Sequence, residues 1–262
     1  MVIEDPSPPP LVPWETDDNP FGAPYTVRSM FTSGYHRWGF LIYRCTYENQ
    51  AAWDIYMHYL GLNAEQNLEG CGRLTRLGPY LKRTVVEDRK TLDGASVDAV
   101  RKHFRHWVET RSDERDGSGA SREHVPRQSP RYQYCLYFDK ECLDSIRIQT
   151  KFEHAPADGS VSLRGYMILI DSDFFPRESG GDFTEEDLEE LREEGLTPED
   201  LEEHYAPIDG NTEYDIGWMY VHASGAMTGM YERLASPMSS PKEARELDYR
   251  RPDDPLSDRY TD

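Results

Sequence analysis

The sequence is poor in cysteine and has no long apolar run. Four cysteines in 262 residues do not make the dense disulfide framework of small secreted domains. A membrane-spanning helix needs about 20 consecutive apolar residues, and runs such as Met167–Ile170 are far shorter. Met1–Pro10 is acidic and proline-rich, so it does not match a secretory signal. We therefore expect a cytoplasmic protein without a membrane partner.

Several catalytic motifs are also missing. The sequence contains no Walker phosphate loop, no dinucleotide-binding glycine pattern and no G-x-S-x-G motif. It has no CxxC and no HExxH motif. His103 and His106 have a spacing that a helical metal site could use, but a solvated basic face explains them more simply. We expect neither a metal nor a cofactor.

Basic residues are scarce compared with acidic ones. The chain has 29 Lys and Arg against 49 Asp and Glu, a net charge of −20, which disfavours DNA as a partner. The charge is uneven, because residues 73–131 carry a net +5 and the remainder −25. Residues 182–204 alone carry −11. The basic block leaves room for a local RNA contact, and the acidic run is either a solvated surface or a site for a cation.

The chain divides into one domain and two tails. Residues 1–24 contain seven prolines and are expected to be a disordered arm. Residues 25–236 are expected to form a single α+β domain with a flexible loop at 112–130 and an acidic helical insertion at 182–204. Residues 237–262 are expected to be a polar tail.

Strand and helix patterns interleave within the domain. Strands are predicted at Trp38–Tyr47, Tyr132–Phe138, Ser145–Phe152, Gly165–Asp171 and Asp215–Val221. Helices are predicted at Ala51–Leu60, Val97–Val108 and Met227–Leu234. This mixture predicts an α+β two-layer sandwich with a ferredoxin-like core, insertions and disordered tails.

The helix predicted at Val97–Val108 is amphipathic. Its apolar residues recur at helical spacing, and its other face carries Arg101, Lys102, Arg105 and His106. The pattern predicts an exposed basic surface.

An acidic motif occurs twice. Phe183–Glu190 is repeated thirteen residues later as Leu196–Glu203. Thr184 and Thr197 are suitable N-caps, with an aspartate three residues later in each copy, so two short capped helices explain the spacing. The alternative is that one helix presents its carboxylates to a cation.

Two further candidate sites involve charges beside predicted strands. Asp171 and Asp173 follow the apolar strand and point the same way on an extended chain, so they mark either a site edge or a turn. Arg44 lies inside an apolar strand, where a charge needs a carboxylate partner or a bound anion. We treat all three as candidate substrate-binding residues. Cys45 is expected to be buried and inert.

The strand WGFLIYRCTY, the helix beginning near Trp53 and the segment GWMYV carry a resemblance. Over Gly34–Leu234 the chain resembles the fungal arginine-containing cyclodipeptide synthases. This resemblance implies an enzyme of secondary metabolism that uses arginyl-tRNA and a second aminoacyl-tRNA and releases a cyclic dipeptide.

That family depends on an Asp-Asp-x-x-Glu motif, of which this sequence has no literal copy. The nearest matches are the catalytic candidates Glu186, Asp187 and Glu190 in the first repeat, and Glu199, Asp200 and Glu203 in the second. By the same resemblance, Arg101, Lys102 and Arg105 are the candidate tRNA-binding residues. Two other functions stay open: a non-catalytic binding or regulatory protein, and a small-molecule tailoring enzyme that uses Asp171, Asp173 or a histidine.

Overall fold

The structure is a computed structural model that describes residues 25–123, 125, 129–149, 162–175, 189, 192–193, 205–236 and 241–259. The helices within these ranges are α1 (Tyr25–Ser33), α2 (Gln50–Gly70), α3 (Leu74–Leu77), α4 (Arg89–Leu92), α5 (Val97–Glu109), α6 (Asp113–Asp116), α7 (Lys140–Ser145), α8 (Ala223–Gly225), α9 (Tyr231–Leu234) and α10 (Pro241–Asp248). The strands are β1 (Leu41–Arg44), β2 (Thr84–Val86), β3 (Tyr134–Phe138), β4 (Arg147–Gln149), β5 (Ser162–Arg164), β6 (Tyr166–Asp171) and β7 (Trp218–His222). Gly78–Tyr80 and Pro130–Tyr132 are 3₁₀ turns, and the π-helical turn Ala226–Met230 joins α8 to α9.

Five strands form a mixed sheet in the order β2-β1-β3-β6-β7. β1 is parallel to both β2 and β3, whereas β6 is antiparallel to both β3 and β7. β4 and β5 form a separate antiparallel pair. The α+β class is confirmed. The ferredoxin-like detail is not confirmed, because β1 has parallel neighbours on both sides.

Helices cover both faces of the sheet. α5 packs Phe104 against Tyr43 of β1. On the opposite face, α2 packs Trp53 and Tyr56 against Phe138 of β3. Every residue of β1 and β3 is buried, as expected for strands covered on two sides. A two-layer sandwich would leave one face open, so the sheet here is the middle of three layers.

The two long helices begin where the sequence places caps. Asn49 accepts the Ala52 N–H at 2.9 Å at the start of α2, and Ser96 accepts the Ala99 N–H at the start of α5. α2 continues to Gly70, ten residues beyond the predicted end at Leu60, with its buried side chains still at helical spacing.

The described part of the loop predicted at 112–130 packs against the domain. Asp116 is 1% exposed, and its backbone carbonyl accepts the Tyr35 hydroxyl at 3.2 Å. Gly119 has a φ of +87°, and a Cβ at this position would lie 2.3 Å from the Gly34 carbonyl oxygen. The glycine at position 119 therefore allows this loop to pass close to the backbone of Gly34.

Residues 241–259 also pack onto the domain, which corrects the expectation of a separate polar tail. Arg245 and Arg251 are each 1% exposed and Tyr249 is 3% exposed. Arg251 donates from Nε to the Glu213 carbonyl at 3.0 Å. This segment packs through arginine contacts, which a search for apolar periodicity does not detect. The expected arm at 1–24 lies outside the described residues.

None of the helices in the described ranges is long and apolar enough to span a membrane.

Candidate cation-binding cavity

A cavity of about 630 Å³ lies where β6 ends and β7 begins. Five of its described lining residues are acidic, five are aromatic and none is basic. The lining comprises Gln133, Tyr134, Asp171, Asp173, Phe174, Phe175, Glu213, Tyr214, Asp215, Glu246 and Tyr249. Carboxylates and aromatic faces together attract organic cations through charge-assisted hydrogen bonds and cation–π contacts.

Asp171 and Asp173 both line the cavity, as expected for a site edge. The turn is present as well, because Asp171 Oδ1 accepts the Asp173 N–H at 2.8 Å. Asp171 is 5% exposed, whereas Asp173 is exposed. Burial raises the pKa of the Asp171 carboxyl, and the nearby Arg245 only partly opposes this effect.

Arg245 of α10 holds one wall of the cavity. Its Nη1 and Nη2 donate to the two carboxylate oxygens of Asp215 at 2.6 and 2.8 Å, and Nη1 lies 3.8 Å from Asp171 Oδ2. Burial lowers the pKa of Arg245, but the carboxylates of Asp215 and Asp171 more than offset this and leave it raised. The pair therefore fixes the Asp215 carboxylate and ties α10 to the entry of β7.

Two arginines of α5 hold the loop after β6. Arg101 donates from Nε to the Asp171 carbonyl at 3.0 Å and from Nη2 to the Gly217 carbonyl at 3.1 Å. Arg105 donates from Nη2 to the Phe174 carbonyl at 2.6 Å. The two guanidinium groups fix the backbone from which the cavity's side chains project.

This geometry corrects the predicted basic face of α5. Arg101 is 5% exposed and Arg105 is half-buried, so their donors are used inside the protein. Lys102 is exposed. The expectation that these three residues contact tRNA phosphates together is wrong for Arg101. Buried carbonyls can satisfy a guanidinium inside a protein, so its charge does not require exposure.

Gly217 allows the two loops at the cavity to approach each other. Its φ is +76°, and a Cβ there would lie 2.2 Å from Cγ of Phe174. The Gly217 N–H donates to Asp215 Oδ1 at 2.7 Å. Only glycine combines this backbone conformation with this contact.

Two tyrosines packed edge to face also line the cavity. The rings of Tyr214 and Tyr249 are 5.3 Å apart. The Tyr249 hydroxyl donates to the Tyr214 carbonyl at 2.9 Å and accepts the Ile216 N–H at 3.1 Å. These bonds hold the rings in place, so the cavity is largely pre-formed.

Arg44 lies elsewhere. It is paired with Glu87 at 3.2 Å, and its guanidinium lies 4.4 Å from the Tyr47 ring centroid and 4.8 Å from that of Trp53. In the sheet Arg44 is opposite Phe138, at the far end of β3 from Asp171. Arg44 therefore has a carboxylate partner, and it is not among the described residues that line the cavity.

The remaining candidates are not among the described residues that line the cavity. The catalytic candidates of the acidic repeat lie outside the described residues: Glu186, Asp187, Glu190, Glu199, Asp200 and Glu203. His103 Nδ1 lies 3.0 Å from the Tyr43 hydroxyl, and His106 faces Glu109. Within the described ranges, no three His, Cys, Asp or Glu side chains are grouped to hold a metal ion.

Sequence reasoning found only two of the eleven described lining residues, Asp171 and Asp173. Glu213 and Asp215 precede β7, and Arg245, Glu246 and Tyr249 belong to the segment predicted as a tail. The one available signal was the alternation of acidic and tyrosine residues in Glu213–Asp215.

Comparison with protein-family models gave no match, and comparisons with curated proteins and with solved structures gave no significant similarity. The functional argument therefore depends on the chemistry of the cavity itself.

Proposed function

We propose that the cavity binds the guanidinium group of an arginyl substrate. The observation that carries this proposal is the gathering of five carboxylates and five aromatic rings around one cavity, without a basic side chain among the described lining residues. A guanidinium group is planar, bonds carboxylates through two parallel N–H groups and stacks on aromatic faces.

The cavity wall already holds one guanidinium by this chemistry. Arg245 bonds Asp215 through two N–H groups, and its central carbon lies 4.7 Å from the Tyr249 ring centroid. The exposed carboxylate of Asp173 can offer the same type of contact to a ligand. A lysine-like ammonium group would make fewer directed contacts with these planar partners.

The reaction we propose is cyclodipeptide synthesis from arginyl-tRNA and a second aminoacyl-tRNA, in fungal secondary metabolism. The amine of one aminoacyl group attacks the ester carbonyl of the other, which forms the peptide bond and releases one tRNA with a proton on its hydroxyl. The second amine then attacks the remaining ester, which closes the ring and releases the second tRNA with a proton on its hydroxyl. Each ester is already activated, so the protein supplies positioning and proton transfer.

Asp171 is the described carboxyl group best suited to exchange a proton in this cavity. Its pKa is raised by burial, which brings a carboxyl closer to the working range of a general acid or base. The acidic-repeat residues remain catalytic candidates by resemblance alone.

Expression in a heterologous host followed by mass spectrometry tests the proposal. Feeding isotope-labelled arginine should give a labelled cyclic dipeptide. The Asp173→Asn and Glu246→Gln double variant should lose most of this product. Glu65→Gln, an exposed carboxylate on α2, is the control and should leave it unchanged. Soluble protein that yields no such product would contradict the synthase assignment.

The cavity also supports a second candidate function, non-catalytic binding of an arginine-containing ligand, because its chemistry recognises the side chain and not the ester. Calorimetry with arginine amide and lysine amide separates the two functions. Tight and selective arginine amide binding by a protein that yields no cyclic product would favour the binding protein. A small-molecule tailoring enzyme that uses Asp171 would instead convert an untethered arginine derivative.

A further inference from the structure

Basic residues lie together at the end of the sheet where β1 and β2 begin. Residues 71–86 contain four basic residues and no acidic one, in a protein with a net charge of −20. We define the basic strip as Arg37, which lies shortly before β1, Arg76 of α3, and Lys82 and Arg83, which directly precede β2. Arg83 is exposed and the other three are half-exposed.

Backbone contacts hold the two halves of the strip side by side. Trp38 and Leu81 form a parallel bridge, and the Lys82 N–H donates to the Trp38 carbonyl at 2.8 Å. Arg37 Nη1 donates to the Pro79 carbonyl at 3.2 Å. The strip is therefore one continuous surface made from two segments that are distant in sequence.

A buried cation lies beneath the strip. Arg131 is fully buried and donates from Nη1 to the carbonyls of Gly39 at 2.7 Å and Lys82 at 3.0 Å. Its Nη2 donates to the Thr84 hydroxyl at 2.7 Å. Arg131 thus fixes the backbone that carries the strip, and its charge is offset by the buried Asp116, whose Oδ1 lies 3.9 Å from Arg131 Nη2.

The basic strip and the cavity lie at the same end of the sheet, where β1, β2 and β3 begin and β6 ends. Leu41, at the start of β1, is opposite both Thr84 of β2 and Cys135 of β3. Tyr134, at the start of β3, is opposite Asp171, at the end of β6. Three strand intervals separate β2 from β6, which at the usual spacing is roughly 14 Å.

We infer that the basic strip binds the phosphate backbone of an RNA whose aminoacylated 3′ end reaches the cavity. Cations distributed along an edge fit a chain of phosphates better than a single anion. The choice of RNA among polyanions rests on the proposed function, since the neighbouring cavity is suited to an arginyl group. The strip takes the role that the sequence assigned to α5.

The test measures binding of bulk tRNA to the full chain by fluorescence anisotropy between about 50 and 200 mM salt. The Arg76→Gln and Arg83→Gln double variant should bind at least about tenfold more weakly, with a salt slope reduced by about two. The matched control, Lys90→Gln with Lys102→Gln, removes the same charge from exposed positions outside the strip and should bind like the wild type.

Three results would overturn the inference: no tRNA binding by the wild type, equal weakening by both double variants, or binding to anionic phosphatidylserine vesicles without binding to tRNA. Formation of the cyclic dipeptide tests the proposed synthase separately. Strip-dependent tRNA binding without any cyclic dipeptide would retain the RNA surface and reject the synthase. If the Arg76→Gln and Arg83→Gln variant gives the wild-type yield of product, the synthase is retained and the RNA surface is rejected.

Discussion

Arg245 Nη1 and Nη2 bond the two carboxylate oxygens of Asp215 at 2.6 and 2.8 Å, and this pair joins α10 to the residues that precede β7. The arginine is 1% exposed, whereas the aspartate side chain is 33% exposed. The carboxylate can therefore still face the cavity while the guanidinium closes the wall behind it.

Asp215→Asn should destabilise the protein by about 2 kcal/mol, because it leaves a buried guanidinium without its charged partner. The estimate is below the range for a fully buried pair because water reaches the aspartate. Urea unfolding measures the change. The control is Asp93→Asn, which breaks the exposed pair with Arg89 and should cost less than about 1 kcal/mol. Equal losses of unfolding free energy in the two variants would show that the Arg245–Asp215 pair stabilises the protein no more than the exposed pair does.

Asp171→Asn should change how stability depends on pH. Burial raises the pKa of the Asp171 carboxyl in the folded protein, so the stabilisation from its bound proton is complete below the ordinary carboxyl pKa of about 4. That stabilisation is lost as the pH rises through the raised folded value. Asparagine cannot ionise and keeps an oxygen for the Asp173 N–H. The Tm of the variant relative to wild type should therefore rise from acidic to neutral pH, and parallel Tm curves would contradict the assignment.

Gly217→Ala should cost about 2–4 kcal/mol, because a positive φ is combined with a Cβ lying 2.2 Å from Phe174. Gly210→Ala is a matched control, since Gly210 has a φ of +83° but nothing within 4 Å of its Cβ position. The difference between the two unfolding free energies isolates the Phe174 contact. We also expect weaker arginine amide binding for the Gly217 variant alone.

Arg101→Met should cost about 1–3 kcal/mol, because the carbonyls of Asp171 and Gly217 lose the bonds that Arg101 donates, while the Asp171 N–H still bonds the Gly217 carbonyl. Lys102→Met, at the exposed neighbouring position, should change stability by less than about 0.5 kcal/mol. Chemical denaturation measures both changes. A stable Arg101→Met protein that binds tRNA weakly would restore the sequence-based interpretation of α5.

The four thiols should differ sharply in reactivity. Cys71 is exposed, whereas Cys45, Cys135 and Cys142 are buried. Burial raises the pKa of the Cys45 thiol to about 12, so its reactive thiolate is scarce at neutral pH. Native protein should react rapidly with one equivalent of a maleimide, detected by mass spectrometry, and denatured protein with four. Rapid modification of a second thiol in the native state would contradict the packing of the sheet.

The elements that sequence predicts best are those whose apolar side chains repeat. α5 and β6 were located closely, because α5 buries Val97, Val100 and Phe104 at helical spacing and β6 contains the continuous apolar run Met167–Ile170. β2 was missed because three residues carry no period. The sequence predicts two layers, whereas the structure has three. A strand that is buried on both faces, such as β3, shows no alternation that would reveal the second helical layer.

Most residues of the candidate site could not be predicted from the sequence, for a different reason. Asp171 and Asp173 stand out because they follow an apolar strand. Arg245 and Tyr249 do not, since a charged segment that packs through ion pairs and aromatic rings has the composition of a solvated one. Arg101 was placed outside for the same reason: its charge is satisfied by carbonyls that only the fold brings near.

The packing of residues 241–259 determines when the cavity is complete. Glu246 and Tyr249 line the cavity together with Asp171, which precedes them by more than 70 residues. During translation the sheet strands leave the ribosome before this closing segment does. A nascent chain that ends before Glu246 and Tyr249 therefore lacks this wall of the cavity.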